Sequence, residues 1–181
     1  MIAGGSVSAV TCASTLRHEG YDDEIVLLSE ESHEPYSRVP LSKGVLAGTE
    51  HPDETALPTL PDSIGLRLGV RAMALDPTSR VVITSTGERV PYDGLVVATG
   101  ARARRLAAPG QEGERVLRDL CDATDLARDA AHARSAVVVG AGFLGMEIAS
   151  TLSGLGLEVT VVDREPGLER VLGPWLAERV R

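Results

Sequence analysis

The sequence predicts an α/β protein with two Rossmann-like dinucleotide-binding folds and a β-meander, both folds being incomplete in this chain. One observation is an internal repeat of strand, glycine turn, helix, strand and acidic residue, which occurs at residues 4–30 and again at 140–163. Another is a series of short strands and turns over residues 66–90, which is typical of an antiparallel meander. Alternating strands and helices predict parallel sheets that bind ligands at the carboxyl ends of their strands.

Each element follows from a local pattern of apolar and turn residues. In chain order, these local patterns predict a strand at 1–3, a helix at 7–18, a strand at 24–28, a buried strand at 95–98, an amphipathic helix at 119–134, a strand at 136–139, a helix at 143–155 and a strand at 158–162. Residues 31–61 read as loop around one short helix, and the last residues begin another helix. The Pro- and Gly-containing stretch 107–113 predicts a linker and a domain boundary.

Composition excludes several classes of function. The chain has 181 residues and a net charge of −8, which argues against a general affinity for nucleic acid. Cys12 and Cys121 form no C-x-x-C pair, so a redox dithiol and a cysteine zinc site are excluded and a reducing, cytoplasmic setting is expected. The apolar run 136–146 is too short to span a bilayer, and we expect no targeting or membrane segment. Lys43 is the single lysine among 18 cationic residues.

The second copy of the repeat carries a complete G-x-G-x-x-G motif. Gly140 permits a tight turn, Gly142 lets the backbone approach a pyrophosphate, and Gly145 lets helix and strand pack closely. Asp163 follows at the end of the next strand, where a carboxylate accepts hydrogen bonds from an adenosine ribose. Because that carboxylate repels a 2′-phosphate, NADH is favoured over NADPH, although Arg164 beside it weakens the preference.

The first copy is degenerate. Its turn reads Gly4, Gly5, Ser6, Val7, Ser8 and Ala9. Ser6 replaces the second glycine and Ala9 is an accepted substitute for the third. Glu30, at the end of the following strand, supports the same ligand class.

Two further segments carry a family resemblance. Residues 35–43, PYSRVPLSK, resemble the P-Y-x-R-P-P-L-S-K segment of FAD- and NADH-dependent ferredoxin reductases, and residues 92–100, YDGLVVATG, resemble their Y-D-x-L-v-x-A-T-G segment. These reductases serve cytochrome P450 and ring-dioxygenase systems. They belong to the pyridine nucleotide-disulfide oxidoreductase superfamily, include the putidaredoxin-reductase type, and are similar to apoptosis-inducing factors. Ser6, Ala9 and Val39 depart from the family pattern.

The resemblance implies two domains and their cofactor contacts. Residues 1–110 would form the N-terminal part of an FAD-binding domain, and residues 111–181 the first part of an NAD(H)-binding domain. The implied FAD contacts are Gly4, Gly5, Ser6, Val7, Ala9, Glu30, Arg38, Lys43, Ala72, Ala98, Thr99, Gly100 and Arg104. The implied NADH contacts are Gly140, Gly142, Phe143, Leu144, Gly145, Glu147 and Asp163. Lys43, near the flavin N5, and Glu147, paired with it, would be the catalytic residues.

The activity implied by the resemblance is hydride transfer from NADH to flavin, followed by single-electron transfer to a [2Fe–2S] ferredoxin. Without a cysteine beside the flavin segment, a disulfide reductase is disfavoured. Two alternatives stay open: an acceptor such as rubredoxin, a nitrite-reductase-type centre or oxygen, and a non-catalytic, truncated nucleotide-binding fragment. The second alternative follows from length, because members of the family are roughly twice as long and about 150 residues suffice for one domain only.

Overall fold

The computed structural model describes residues 1–106, 110 and 112–180. In these residues the chain forms nine β-strands and six α-helices, with two 3₁₀ helices at Val39–Ser42 and Pro52–Thr55. The strands are β1 (Ile2–Ala3), β2 (Ile25–Leu28), β3 (Ile64–Arg67), β4 (Ala72–Asp76), β5 (Val81–Thr84), β6 (Arg89–Pro91), β7 (Val96–Val97), β8 (Ser135–Val139) and β9 (Glu158–Val162). The helices are α1 (Val7–His18), α2 (Gly44–Ala47), α3 (Leu120–Ala130), α4 (Phe143–Gly154), α5 (Glu169–Leu172) and α6 (Pro174–Val180).

Contacts divide the chain into two compact units. The first consists of Met1–Ser37 and Ala56–Arg102, and the second of Arg38–Thr55 and Ala103–Arg181. The division by cofactor at residues 110 and 111 stays a prediction, and most of the expected linker (residues 107–109 and 111) lies outside the described residues.

The first unit is built on a parallel sheet with the strand order β3-β2-β1-β7. Ile2 pairs with Leu27 across the two central strands. Helix α1 packs against this sheet through Ala9 and Ala13, both without exposed surface. Because alanine is small, the helix lies close to the strands, and its N-terminus follows directly on the turn after β1. The predicted Rossmann-like arrangement is confirmed here.

The antiparallel meander is formed by β4, β5 and β6. The prediction that it begins near residue 66 was wrong, because β3 pairs in parallel with β2 over the whole strand. Ile64 is buried in the core of the parallel sheet and Leu66 packs against that core. Apolar side chains of β3 thus stabilise it in the parallel sheet, whereas a local pattern of short strands says nothing about the pairing partner.

The strand expected at residues 95–98 is shorter and more exposed than predicted. Val96 and Val97 form β7 and are 38% and 67% exposed. β7 is the edge of its sheet and pairs with β1 on one side. The apolar sequence of β7 predicted a buried strand. Among the described residues, however, β1 is the one strand beside β7, so its other edge is uncovered.

The second unit contains the parallel pair β8–β9, whose register joins Val138 to Val161. Leu152 and Leu157 form a core with Leu46 and Ala130, and Val138 and other residues of β8 and β9 pack against it. On β8, Val137 and Val139 are 68% and 60% exposed. Within the described residues, the core therefore lies on one face of the sheet.

The bounds of α1, β9 and α4 were predicted to within one residue. Helix α1 and strand β9 have the predicted bounds, and α4 ends one residue early. Helix α3 begins one residue after its predicted start, because Asp119 is its N-cap and accepts a 2.8 Å hydrogen bond from the backbone N–H of Asp122. It ends four residues before the predicted end, where i→i−3 hydrogen bonds turn the chain toward β8. No helix in the described part of the chain combines the length and apolar character needed to cross a membrane.

Candidate functional site

The first glycine turn lies in close contact with neighbouring strand ends. Gly4 has φ +139°, and a Cβ built there would lie 2.1 Å from the carbonyl oxygen of Ala98. A Cβ at Gly5 would lie 2.3 Å from Oγ of Ser29. The chain therefore has room only for glycine at both positions, directly before helix α1.

The N-terminus of α1 suits an anionic ligand. Ser6 is the N-cap, and its side chain makes no capping hydrogen bond. Its carbonyl accepts from the N–H groups of Ala9 and Val10, while those of Val7 and Ser8 have no partner within the helix. Helix N–H groups of this kind bind phosphate, so Ser6 in place of glycine is compatible with a diphosphate.

The acidic residue of the first copy is paired with an arginine. Glu30, 59% exposed, has its Oε1 3.2 Å from Nη1 of Arg71. Arg71 directly precedes β4, which begins at Ala72. No motif in the sequence singles out Arg71, which was therefore not among the predicted site residues.

The other predicted FAD contacts of the first unit follow β7. Ala98 donates its N–H to the carbonyl of Ala3 at 2.8 Å, and Thr99 and Gly100 are exposed beyond it. In the second unit, Arg104 is exposed. A guanidinium N–H of Arg38 donates to the carbonyl of Arg118. The roles of these residues in binding FAD stay a prediction.

The second glycine turn has one position that is crowded and one that is open. Gly140 has φ +108°, and its N–H donates to the carbonyl of Val162 at 2.8 Å. A Cβ at Gly145 would lie 1.8 Å from the carbonyl oxygen of Gly140, whereas a Cβ at Gly142 would meet nothing within 4 Å. Phe143 and Leu144, in the first turn of α4, are about half exposed. An open glycine at a helix N-terminus fits a dinucleotide pyrophosphate.

We expect Gly142→Ala and Gly145→Ala to separate binding from folding. Gly145→Ala should lower the free energy of unfolding by about 1–3 kcal/mol or more, since its Cβ clashes with backbone. Gly142→Ala should change stability by less than about 1 kcal/mol but weaken NADH binding, because the methyl group fills the space that the pyrophosphate needs. Chemical denaturation and NADH titration of both variants check this. Wild-type NADH affinity in Gly142→Ala would contradict the assignment.

Asp163 joins the glycine turn to the loop after β9. Its Oδ2 accepts from the N–H of Ala141 at 2.6 Å, and its Oδ1 accepts from the N–H groups of Arg164 and Glu165 at 2.6 and 3.3 Å. These hydrogen bonds hold the pKa of the carboxyl below its ordinary value. A shallow depression open to solvent lies beside it, lined by Ala141, Gly142, Asp163, Glu165, Pro166, Leu168, Arg170 and Val171. The predicted ribose acceptor thus also orders the turn.

Asp163→Asn should weaken NADH binding several-fold and reduce the preference for NADH over NADPH. The amide NH₂ cannot accept a backbone N–H, so the turn loses a contact, and the charge that repels a 2′-phosphate is gone. Since the folded-state pKa is lowered, this carboxylate stabilises the wild-type fold above its unfolded pKa, and the contribution is lost as pH falls through the lowered value. Paired titrations with NADH and NADPH, and unfolding at pH 3 to 7, measure both effects. An unchanged NADH to NADPH affinity ratio would contradict the role in specificity.

Lys43 and Glu147 form an ion pair within the second unit. Nζ of Lys43 lies 2.7 Å from Oε2 of Glu147, and the two side chains are 48% and 39% exposed. Lys43 lies between the 3₁₀ helix Val39–Ser42 and α2, and Glu147 is on α4, five residues after Gly142. Leu46 of α2 and Leu152 of α4 share one core, which fixes the segments that carry the pair.

The pair is extended by a residue that the sequence did not single out. Oγ of Ser42 donates to the same Oε2 of Glu147 at 2.7 Å. The hydrogen bonds from Lys43 and Ser42 hold the pKa of Glu147 below its ordinary value. Glu147 is therefore ionised at neutral pH.

The chain is similar to known NAD(+)-dependent reductases over its whole length. Residues 1–181 match the model of the pyridine nucleotide-disulphide oxidoreductase family. A rubredoxin-NAD(+) reductase of Pseudomonas putida is 40% identical over 190 residues, which cover 100% of this chain and 49% of that protein. The ferredoxin–NAD(+) reductase component of a biphenyl dioxygenase system from Paraburkholderia xenovorans is 40% identical over 182 residues, covering 95% and 44%.

Solved structures agree with these relatives. The ferredoxin reductase for the CYP199A2 system of Rhodopseudomonas palustris superimposes with a TM-score of 0.89 at 34% identity, covering 98% of this chain and 45% of that one. A putidaredoxin reductase in covalent complex with putidaredoxin gives 0.86 at 33% identity, with the same coverage. The chain spans about half the length of the curated relatives it matches. With the family model matched throughout and both glycine turns in place, the chain belongs to the pyridine nucleotide-disulphide oxidoreductase family.

Proposed function

We propose that this chain forms FAD- and NADH-binding parts of an NADH:ferredoxin oxidoreductase. The observation that carries the proposal is the 2.7 Å ion pair between Lys43 and Glu147. It joins the segment that resembles the flavin-contacting P-Y-x-R-P-P-L-S-K motif to the helix that follows the second glycine turn. Beside a flavin and a nicotinamide, such a pair would stabilise the charge that develops on the reacting atoms during hydride transfer.

Residues of the first copy suit FAD. The N–H groups at the start of α1, next to Gly4 and Ser6, would hold its diphosphate, and Glu30 would accept a hydrogen bond from its ribose. The ion pair with Arg71 keeps the Glu30 carboxylate beside the start of β4, where Ala72 offers backbone to the adenine by resemblance.

Residues of the second copy suit NADH. The open space at Gly142 would admit its pyrophosphate, and the exposed Asp163 carboxylate would accept a hydrogen bond from its adenosine ribose. The negative charge of Asp163 disfavours the 2′-phosphate of NADPH.

The chemistry that bound FAD supplies is acceptance of a hydride from NADH and release of the two electrons one at a time. The protein would orient the two cofactors and hold charge beside them. Lys43 supplies a positive charge at the end of its side chain, and Glu147 binds that ammonium group at 2.7 Å. The lysine cannot be replaced freely by arginine, since a compact ammonium and a planar guanidinium have different donor geometry.

The proposed electron acceptor is a [2Fe–2S] ferredoxin, and the proposed compartment is the cytoplasm. Several relatives are named as ferredoxin–NAD(+) reductase components of dioxygenase systems. A second candidate acceptor is rubredoxin, favoured by the relative from Pseudomonas putida that is named a rubredoxin-NAD(+) reductase. Both are one-electron iron proteins.

An acceptor assay tests the proposal. The full-length protein, saturated with FAD, is mixed with NADH and either a [2Fe–2S] ferredoxin or rubredoxin, and reduction of each acceptor is followed by its absorbance. We expect NADH-dependent reduction with the higher kcat/KM for ferredoxin. A higher value for rubredoxin would favour the second candidate, and reduction of neither would overturn the proposal.

A further inference from the structure

Ser42 is attached to helix α4 at two points. Its hydroxyl donates to Oε2 of Glu147 at 2.7 Å, and its backbone carbonyl accepts from Oγ1 of Thr151 at 2.7 Å. Glu147 and Thr151 are four residues apart, so they lie one above the other on the same face of the helix. Ser42 is the last residue of a 3₁₀ helix, where a carbonyl lacks a partner within the helix.

The burial of Ser42 distinguishes it from the two charged residues beside it. Ser42 is 2% exposed, whereas the Lys43 and Glu147 side chains are 48% and 39% exposed. A buried hydroxyl must be hydrogen-bonded, so its geometry is fixed by the surrounding packing. An exposed ion pair, by contrast, gains little energy and does not by itself fix two long side chains. Ser42 is therefore the rigid member of this group.

We propose that Ser42 is a positioning residue that fixes the Glu147 carboxylate and, through it, the ammonium group of Lys43. The inference rests on the proposed function, because it assigns Ser42 to the reductive half-reaction. Ser42 and Lys43 donate to the same oxygen atom, so the hydroxyl fixes the point at which the ammonium group binds. Thr151 holds the Ser42 backbone and thereby sets the direction of the hydroxyl.

Three variants of the full-length, FAD-loaded protein test this. Ser42→Ala removes the hydroxyl from Glu147. Thr151→Val removes the contact to the Ser42 backbone but leaves every donor to Glu147 in place. Ser150→Ala is the matched control, since it removes a hydroxyl at an exposed position of the same helix.

The first readout is independent of activity. The carboxyl groups are labelled with ¹³C-glutamate, Glu147 is assigned with Glu147→Gln, and its titration is followed by NMR. In Ser42→Ala the Glu147 titration should move to higher pH, because the carboxylate loses a donor. It should stay at the wild-type pH in Ser150→Ala, and shift less in Thr151→Val than in Ser42→Ala.

The second readout is flavin reduction by NADH. Ser42→Ala should lower the limiting rate about tenfold while changing the NADH dissociation constant less than about twofold, as expected for lost orientation. A wild-type titration of Glu147 in Ser42→Ala would overturn the positioning role, as would a wild-type limiting rate. If the wild-type protein does not reduce its flavin, the proposed function fails, and the NMR titration alone decides whether Ser42 positions Glu147.

Discussion

Flavin reduction by NADH is expected to slow about tenfold to a hundredfold when Lys43 is replaced by alanine, and to a similar degree in Glu147→Ala. A factor of ten corresponds to about 1.4 kcal/mol of activation free energy, and loss of a fixed charge at a reacting centre commonly costs this much or more. Glu147→Ala removes the partner 2.7 Å from Nζ, which leaves the flexible lysine side chain free to adopt other rotamers. Anaerobic stopped-flow mixing with NADH measures the limiting rate in each variant.

The matched control for this prediction is Arg128→Ala. It also removes a cation and an ion pair, with Asp125 on the same helix α3, but both side chains are more than half exposed. We expect the control to reduce its flavin at the wild-type rate. Because Lys43 and Glu147 act as a pair, the double variant should be little slower than either single variant. Wild-type rates in both single variants would remove the proposed role of the pair.

Gly4→Ala is expected to prevent stable folding of the first unit and retention of FAD. The Cβ would lie 2.1 Å from the carbonyl oxygen of Ala98, and that oxygen is backbone and cannot rotate away. The residue also has φ +139°, a conformation that alanine rarely adopts. Overpacking of this kind costs about 1–3 kcal/mol or more, and the positive φ adds to that cost. FAD content after purification and the unfolding midpoint measure the effect.

Gly20→Ala is the matched control for Gly4→Ala. Gly20 also has positive φ, +83°, but a Cβ there would meet nothing within 4 Å. It should therefore destabilise the protein only by the cost of the backbone conformation, about 1 kcal/mol, and leave FAD content unchanged. Equal FAD content in Gly4→Ala and the wild type would contradict the proposal that the first glycine turn holds FAD.

The fold could be predicted wherever a local pattern determines the element. Small apolar residues at helical spacing identify α1, and a continuous run of β-branched residues after a helix identifies β9. The pairing of β3 and the exposure of β7 could not be predicted in this way, since both depend on which strands are neighbours in the sheet. A local pattern carries no information about that.

In the candidate site, too, local motifs could be predicted and contacts between distant residues could not. The glycine turns and the acidic residues that follow them could be predicted, because turn, helix, strand and acidic residue lie within about 30 residues of chain. Their contacts with cofactors stay a prediction. Pairing of Lys43 with Glu147 followed from family resemblance, since the two residues are 104 positions apart. Ser42, Thr151 and Arg71 were missed, because a hydroxyl or a lone arginine gives no signal until folding brings its partner close.

An anaerobic titration of the full-length protein with NADH, followed by flavin absorbance, tests most directly whether this chain belongs to a working NADH-dependent flavoprotein. We expect the purified protein to carry stoichiometric FAD, and a stoichiometric amount of NADH to bleach the flavin band. A protein that binds no FAD when reconstituted, or a bound flavin whose absorbance NADH leaves unchanged, would contradict the proposed function.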